Sequence, residues 1–121
     1  MINDDNFEYH YRGFGIHNSR CNIYFRTIDD VLHILFEDVG IGTSVTNASE
    51  QLASEMVNRF DLNPNKCKFF ETYSQYNYES IDEIEYTWSS ETKNNKIVWI
   101  ASNPKWNRVD IKHLKHFINL Y

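Results

Sequence analysis

Residues 31–60 read Val31-Leu32-His33-Ile34-Leu35-Phe36-Glu37-Asp38-Val39-Gly40-Ile41-Gly42-Thr43-Ser44-Val45-Thr46-Asn47-Ala48-Ser49-Glu50-Gln51-Leu52-Ala53-Ser54-Glu55-Met56-Val57-Asn58-Arg59-Phe60. The hydrophobic period changes in the middle of this stretch, and that change decides the fold class. Val31 to Glu37 is apolar on both sides except at His33, as in a strand buried within a sheet. After Gly40-Ile41-Gly42, Leu52, Met56 and Phe60 recur every four residues with Ala53 and Val57 beside them, a helical stripe. Ser44 is a candidate N-cap, and Asn47 with Glu50 is an alternative capping pair. Asp61-Leu62-Asn63-Pro64 ends the helix.

On the N-terminal side, residues 7–14 and 21–28 alternate apolar and polar side chains, which marks half-buried strands. Asp29-Asp30 reads as a tight turn. Three strands with short connections imply an antiparallel meander. On the C-terminal side, Cys67, Phe69 and Tyr73 alternate, as do Ile84, Tyr86 and Trp88. Ser89 to Asn95 reads as a polar hairpin loop, followed by a buried strand Ile97-Val98-Trp99-Ile100 that Asn103-Pro104 breaks. From Asp110 a closing helix is expected, with Ile111, Leu114, Phe117, Ile118 and Tyr121 on one face and Lys112, His113, Lys115, His116 and Asn119 on a solvated one. The expected order is βββαβββα. This is an α+β class, with an antiparallel sheet of about six strands and both helices packed on one face.

The chain has 121 residues, a single-domain length. We read residues 1–121 as one domain with 1–6 as a frayed arm. Three Trp, eight Tyr and eight Phe supply ample core material and argue against disorder. Net charge is −5, and residues 1–62 hold ten acids against four arginines. That balance argues against a broad phosphate-backbone interface, which needs many Lys and Arg. No apolar run reaches the roughly 18 residues a membrane helix needs. Met1-Ile2-Asn3-Asp4-Asp5 has no leader-like pattern, so a cytoplasmic location is expected. Cys21 and Cys67 stand far apart without CxxC or Cys/His spacing, so unbridged thiols and no metal or other cofactor are expected.

Two places carry the functional expectations. Gly42, Thr43, Ser44 and Asn47 surround a glycine-flanked helix start, where backbone N–H groups attract an anionic ligand. No P-loop lysine follows, and a strand-to-helix turn explains the same residues by geometry alone. The second place combines Tyr76 and Tyr78 with Lys105, Trp106 and Arg108. Large rings mixed with cations in loops have the composition of a partner-binding patch. His33 reads as a hydrogen-bonded core residue, and no nucleophile motif is present. The leading expectation is therefore a non-enzymatic protein-interaction module of the immunity or inhibitor type. The alternative is a small-ligand or nucleotide binder, or a hydrolase of such a ligand, using the helix start at Gly42–Asn47. A further one is a single-stranded nucleic-acid contact through the basic, aromatic C-terminal segment.

The stretch Gly42-Thr43-Ser44-Val45-Thr46-Asn47-Ala48-Ser49-Glu50 resembles a family of small uncharacterised bacterial proteins. Asp61-Leu62-Asn63-Pro64 and Phe69-Phe70-Glu71-Thr72-Tyr73 are similar in placement. The resemblance covers about a third of the chain and implies no catalytic residue.

Overall fold

The computed structural model describes residues 6–14, 19–38, 45–73 and 79–117, with side chains over 21–38, 48–73 and 79–117. The elements are β1 (Asn6–Phe14), β2 (Ser19–Ile28), β3 (Val31–Asp38), α1 (Val45–Arg59), a 3-10 turn (Pro64–Lys66), β4 (Cys67–Tyr73), β5 (Ile81–Lys93), β6 (Lys96–Val109) and a closing 3-10 segment (Ile111–His116). The six strands form one sheet in chain order. Asn6, assigned to the arm by sequence, is the first residue of β1.

The sheet is mixed, which corrects the all-antiparallel expectation. Every neighbouring pair is antiparallel except β3 and β4, which run parallel. The reason is the helix between them. α1 carries the chain back along the sheet, so β4 re-enters beside β3 in the same direction.

The tight turns follow from Asp and Asn. Asp29 and Asp30 adopt φ of 51° and 64°, and so do Asn94 and Asn95. Two left-handed residues in succession make the turn that matches strand twist, and short polar side chains tolerate that region best. The expected loop at Ser89–Asn95 thus shrinks to Asn94-Asn95, with both strands running through to it. Pro104 does not break β6 either. The register shifts there, Lys105 facing Glu85 and Ser102 facing Thr87, and Asn103 has φ of 50°. Asn103-Pro104 is a bulge on an edge strand, where a missing N–H leaves no ladder bond unmade.

α1 is kinked at Ala48, whose φ of −126° lies just after Asn47, the second cap candidate. Beyond it, Leu52, Ala53, Met56 and Val57 are fully buried. The helix ends with Leu62 N–H bonding the Val57 carbonyl at 2.9 Å across Asp61 at φ 53°. That is the six-to-one closure of a left-handed C-terminal cap.

The two flanking elements lie on opposite faces of the sheet, not on one. Ile34, Phe36 and Phe69 pack with α1. Leu35 and Phe70, their immediate neighbours, pack with Leu114 and Phe117. Successive strand residues point to opposite sides, so these two clusters are separate layers. The expected closing helix is a 3-10 segment. Asp110 caps it through Lys112 N–H at 2.9 Å, and Phe117 N–H bonds the Leu114 carbonyl at 3.0 Å. Leu114 and Phe117 stand three apart, the spacing that a three-residue turn places on one side. Ile111, expected inside, is 41% exposed.

Candidate functional site

The parallel pair sets the geography. Asp38 and Tyr73 are register partners at the carboxyl ends of β3 and β4. Segment 39–44 continues from Asp38 and segment 74–78 from Tyr73. The last described residues before the two stretches are therefore neighbours, at the carboxyl end of parallel strands, where open α/β sheets hold ligands. Gly42, Thr43, Ser44, Tyr76 and Tyr78 themselves lie outside the described residues. Asn47 belongs to α1, and its side chain is outside them too.

Lys105, Trp106 and Arg108 sit in β6, not in a loop. The bulge at Asn103-Pro104 lets the strand continue, which is why a Pro-based reading placed them wrongly. Trp106 is half-buried, and its indole N–H donates to Glu71 Oε1 at 2.8 Å. Glu71 is 1% exposed. The ring is thus tied to a buried carboxylate and packed on the α1 side of the sheet. Arg108 lies on the same side, where its guanidinium Nε meets Asp82 Oδ1 at 2.7 Å. Lys105 alternates with them and stands opposite Glu85. Trp106 and Arg108 form one patch, and Lys105 belongs to the other face.

Several buried polar groups surround this end of the sheet. Glu37 accepts from Asn22 Nδ2 at 2.6 Å and from the Tyr24 hydroxyl at 3.4 Å. Thr72 donates its hydroxyl to the Ser80 carbonyl at 2.7 Å. The Tyr86 hydroxyl donates to the Ser49 carbonyl at 3.3 Å, while burial pushes its pKa upward. Burial also raises the Cys21 thiol, helped by the charges of Asp38, Glu37 and Glu71. Cys67 is pushed up to about 12 by burial. Both cysteines are free thiols, protonated and unreactive near neutral pH.

β6 is an edge strand, and its two halves are treated differently. Before the bulge, α1 side chains occupy the outer backbone. Asn58 accepts from Trp99 N–H through Oδ1 and donates to the Trp99 carbonyl through Nδ2, both at 2.9 Å. Ser54 Oγ accepts from Ala101 N–H at 2.9 Å and donates to the Glu50 carbonyl at 2.7 Å. After the bulge, from Lys105 to Val109, no strand or side chain among the described residues bonds the outer edge. The hairpin tip also departs from expectation: Ile97 is 64% exposed and Ile100 38%. β4 pairs with β5 only as far as Phe69 and Ile84, so the hairpin projects past it and its outer side stays uncovered.

A second constellation went unseen in the sequence. His33 Nδ1 and His113 Nε2 are 3.2 Å apart and share a hydrogen bond. Their rings stack at 5.3 Å, and both lie against Phe70, at 5.4 and 4.3 Å. His116 follows at 5.1 Å from His113. Burial, then the neighbouring His113, Lys68 and His116 charges, pull His33 down to about 4, with Asp29 opposing. Burial likewise lowers His113, followed by His116 and Lys68. His113 was expected on a solvated face; instead its ring closes the seam over Phe70. Nothing in one sequence links residues 80 positions apart.

Among the described residues, no group of three or more His, Cys, Asp or Glu is placed to hold a metal ion, and no helix is long and apolar enough to cross a membrane. No family model, curated protein or solved structure matches this chain.

Proposed function

We propose that this protein is a non-enzymatic interaction module that binds an extended, acidic segment of a protein partner along the outer edge of β6, from Lys105 to Val109. The observation that carries this reading is the contrast within one strand. α1 occupies the edge backbone at Trp99 and Ala101, while among the described residues the edge beyond the bulge has no partner. An unpaired edge is a template for an added strand, whose main-chain bonds give affinity and whose alternate side chains give specificity. Charge selects the segment. Lys105 is an exposed cation on this stretch, whereas Arg108 is already met by Asp82, and opposite charges directly across a strand pair are favourable. Pro104 and Lys105 also guard the edge against indiscriminate pairing, so the partner must bring the matching acid.

The test uses a short peptide alternating Glu and Val, followed by amide chemical shifts. The reading expects saturable shifts at residues 105–109 and loss of about tenfold in affinity for Lys105→Glu, roughly 1.4 kcal/mol. A Lys/Val peptide should not bind. Equal binding of both peptides, or shifts confined elsewhere, sinks the proposal, and concentration-dependent dimerisation through the same residues would assign the edge to a second copy. Trp106→Ala is a poor probe, because it also strips a hydrogen bond from the buried Glu71.

A second reading keeps a small anionic ligand at Gly42–Asn47. It draws on the parallel crossover, which starts segment 39–44 at the carboxyl end of β3. A nucleotide that raises the unfolding temperature and shifts the amides of residues 42–47 would favour it.

A further inference from the structure

Arg26, His33 and Lys68 stand in register across three neighbouring strands. Arg26 faces His33 between β2 and β3, and His33 faces Lys68 between β3 and β4. Register partners point to the same side of a sheet, and strands are spaced roughly 4.8 Å apart, so the outer two residues flank His33 on either hand. That side is the one covered by the closing 3-10 segment, because the His33 ring stacks on Phe70 and His113. The segment adds His113 and His116, with Lys112 and Lys115 exposed beside them.

Counter-charge is scarce here. Arg26, Lys68, Lys112, Lys115 and His116 take part in no ion pair among the described residues. Asp29 and Asp30 in the β2–β3 turn and Asp110 at the segment start are the nearby acids in sequence. The chain as a whole is acidic at −5, so an unpaired basic row is not a consequence of composition. Arg26 and Lys68 flank a His33 that is neutral near neutral pH, so the row offers two fixed positive charges, one on each side of the imidazole. An anion bound between them supplies the missing charge.

We infer that the row Arg26–His33–Lys68, closed over by His113 and His116, is a binding site for a phosphate-bearing ligand. The guanidinium of Arg26 suits two phosphate oxygens at once, and Lys68 offers a mobile point charge from the opposite side. His33 uses Nδ1 for His113, which leaves its Nε2 for an oxygen of the ligand. His116 is exposed at the rim, beside His113. Phosphate could come free or as the ester of a small molecule; both present the same oxygens. This site is separate from the β6 edge and from Gly42–Asn47, so it stands or falls independently of the proposed function.

The test titrates the intact protein with inorganic phosphate and, in a second arm, with adenosine monophosphate, at fixed ionic strength near neutral pH. The imidazole resonances of His33, His113 and His116 are followed. We expect saturable shifts at these three rings and an upward move in the pKa of His113, which burial holds down in the free protein. Arg26→Gln and Lys68→Ala, both at exposed or half-exposed positions, should each weaken binding about tenfold while the unfolding curve stays in place. Tighter binding of the monophosphate assigns the ester; equal binding assigns free phosphate. Shifts that follow ionic strength alone overturn the inference. So do saturable shifts confined to residues 42–47, or variants that bind as well as the parent.

Discussion

α1 and the segment Ile111–His116 cover opposite faces of the same sheet by different physics. α1 presents four consecutive-turn side chains, Leu52, Ala53, Met56 and Val57, all completely buried. Its polar side is put to use as well, since Ser54 and Asn58 close the edge of β6. The closing segment has two apolar anchors, Leu114 and Phe117, and beside them the His113 imidazole lies on Phe70. The four α1 anchors carry no ionisable group, although the buried Glu71 lies on the same side of the sheet. The opposite face has an ionisable pair in its seam.

The largest expected effect compares the two anchors. Leu52→Ala should cost about 2–5 kcal/mol in urea unfolding, the range for a buried leucine in a layer that cannot collapse. Leu114 is equally buried, but it belongs to a six-residue segment that can settle or detach. Leu114→Ala should cost near the low end, about 2 kcal/mol, and raise amide exchange in the closing segment alone. Equal costs with global unfolding in both cases would erase the distinction.

The same contrast explains what the sequence made legible. The α1 stripe was readable because aliphatic residues at helical spacing have one physical use. Leu114 and Phe117 were readable as core, but their spacing of three fits a 3-10 turn as well as a helix, so the winding was misread. The shared-face assumption failed because periodicity says which side of a strand is apolar, and Leu35 and Phe70 sit on a sheet that is apolar on both. The parallel β3–β4 pair was hidden in the helix between them. Of the candidate patch, Trp106 and Arg108 share one side of β6 and Lys105 lies on the other. Their expected place in a loop was wrong because Pro104 marks a bulge as readily as a strand end. The His33–His113 contact had no sequence signal at all.

Acid should act on the closing segment first. His33 titrates near 4 in the folded protein against 6.5 when free, since burial and neighbouring positive charge disfavour its protonated form. Between those values the unfolded chain binds more protons, so folding stability falls as pH drops from about 6.5 toward 4. His113 is lowered in the same direction and adds to the loss. His33 alone sets a scale of at most about 3 kcal/mol for this limb, read from urea midpoints across the window. His33→Gln should flatten that limb, while Leu52→Ala should shift the whole curve without changing its shape. An unchanged limb in His33→Gln would place the acid sensitivity elsewhere.

On the α1 side, the edge closure offers a smaller test. Asn58→Ala removes two hydrogen bonds to Trp99 at an exposed position, where water replaces them in part. A cost of about 1–2 kcal/mol is expected. The Trp99 amide should exchange faster, and the closing segment should be unaffected. Protection of that amide without Asn58 would mean the edge is shielded by something other than α1.

The smallest effect separates two serines of one helix. Ser54 Oγ bonds both the Glu50 carbonyl and Ala101 N–H, so Ser54→Ala leaves a strand amide unpaired and should cost about 1 kcal/mol. Ser49 is 1% exposed and its Oγ has no partner. A buried hydroxyl without a bond already bears its desolvation cost, and alanine is the better helix former. Ser49→Ala should therefore be neutral or stabilising by up to about 1 kcal/mol, the opposite sign from its neighbour one turn on. The Tyr86 hydroxyl bonds the Ser49 carbonyl, not its side chain, so that contact survives the substitution. A loss of stability in Ser49→Ala would show that the hydroxyl is satisfied in solution, by water reaching the carboxyl end of β3 and β4. The apolar face under α1 would then be open at that end, and burial alone would not describe it.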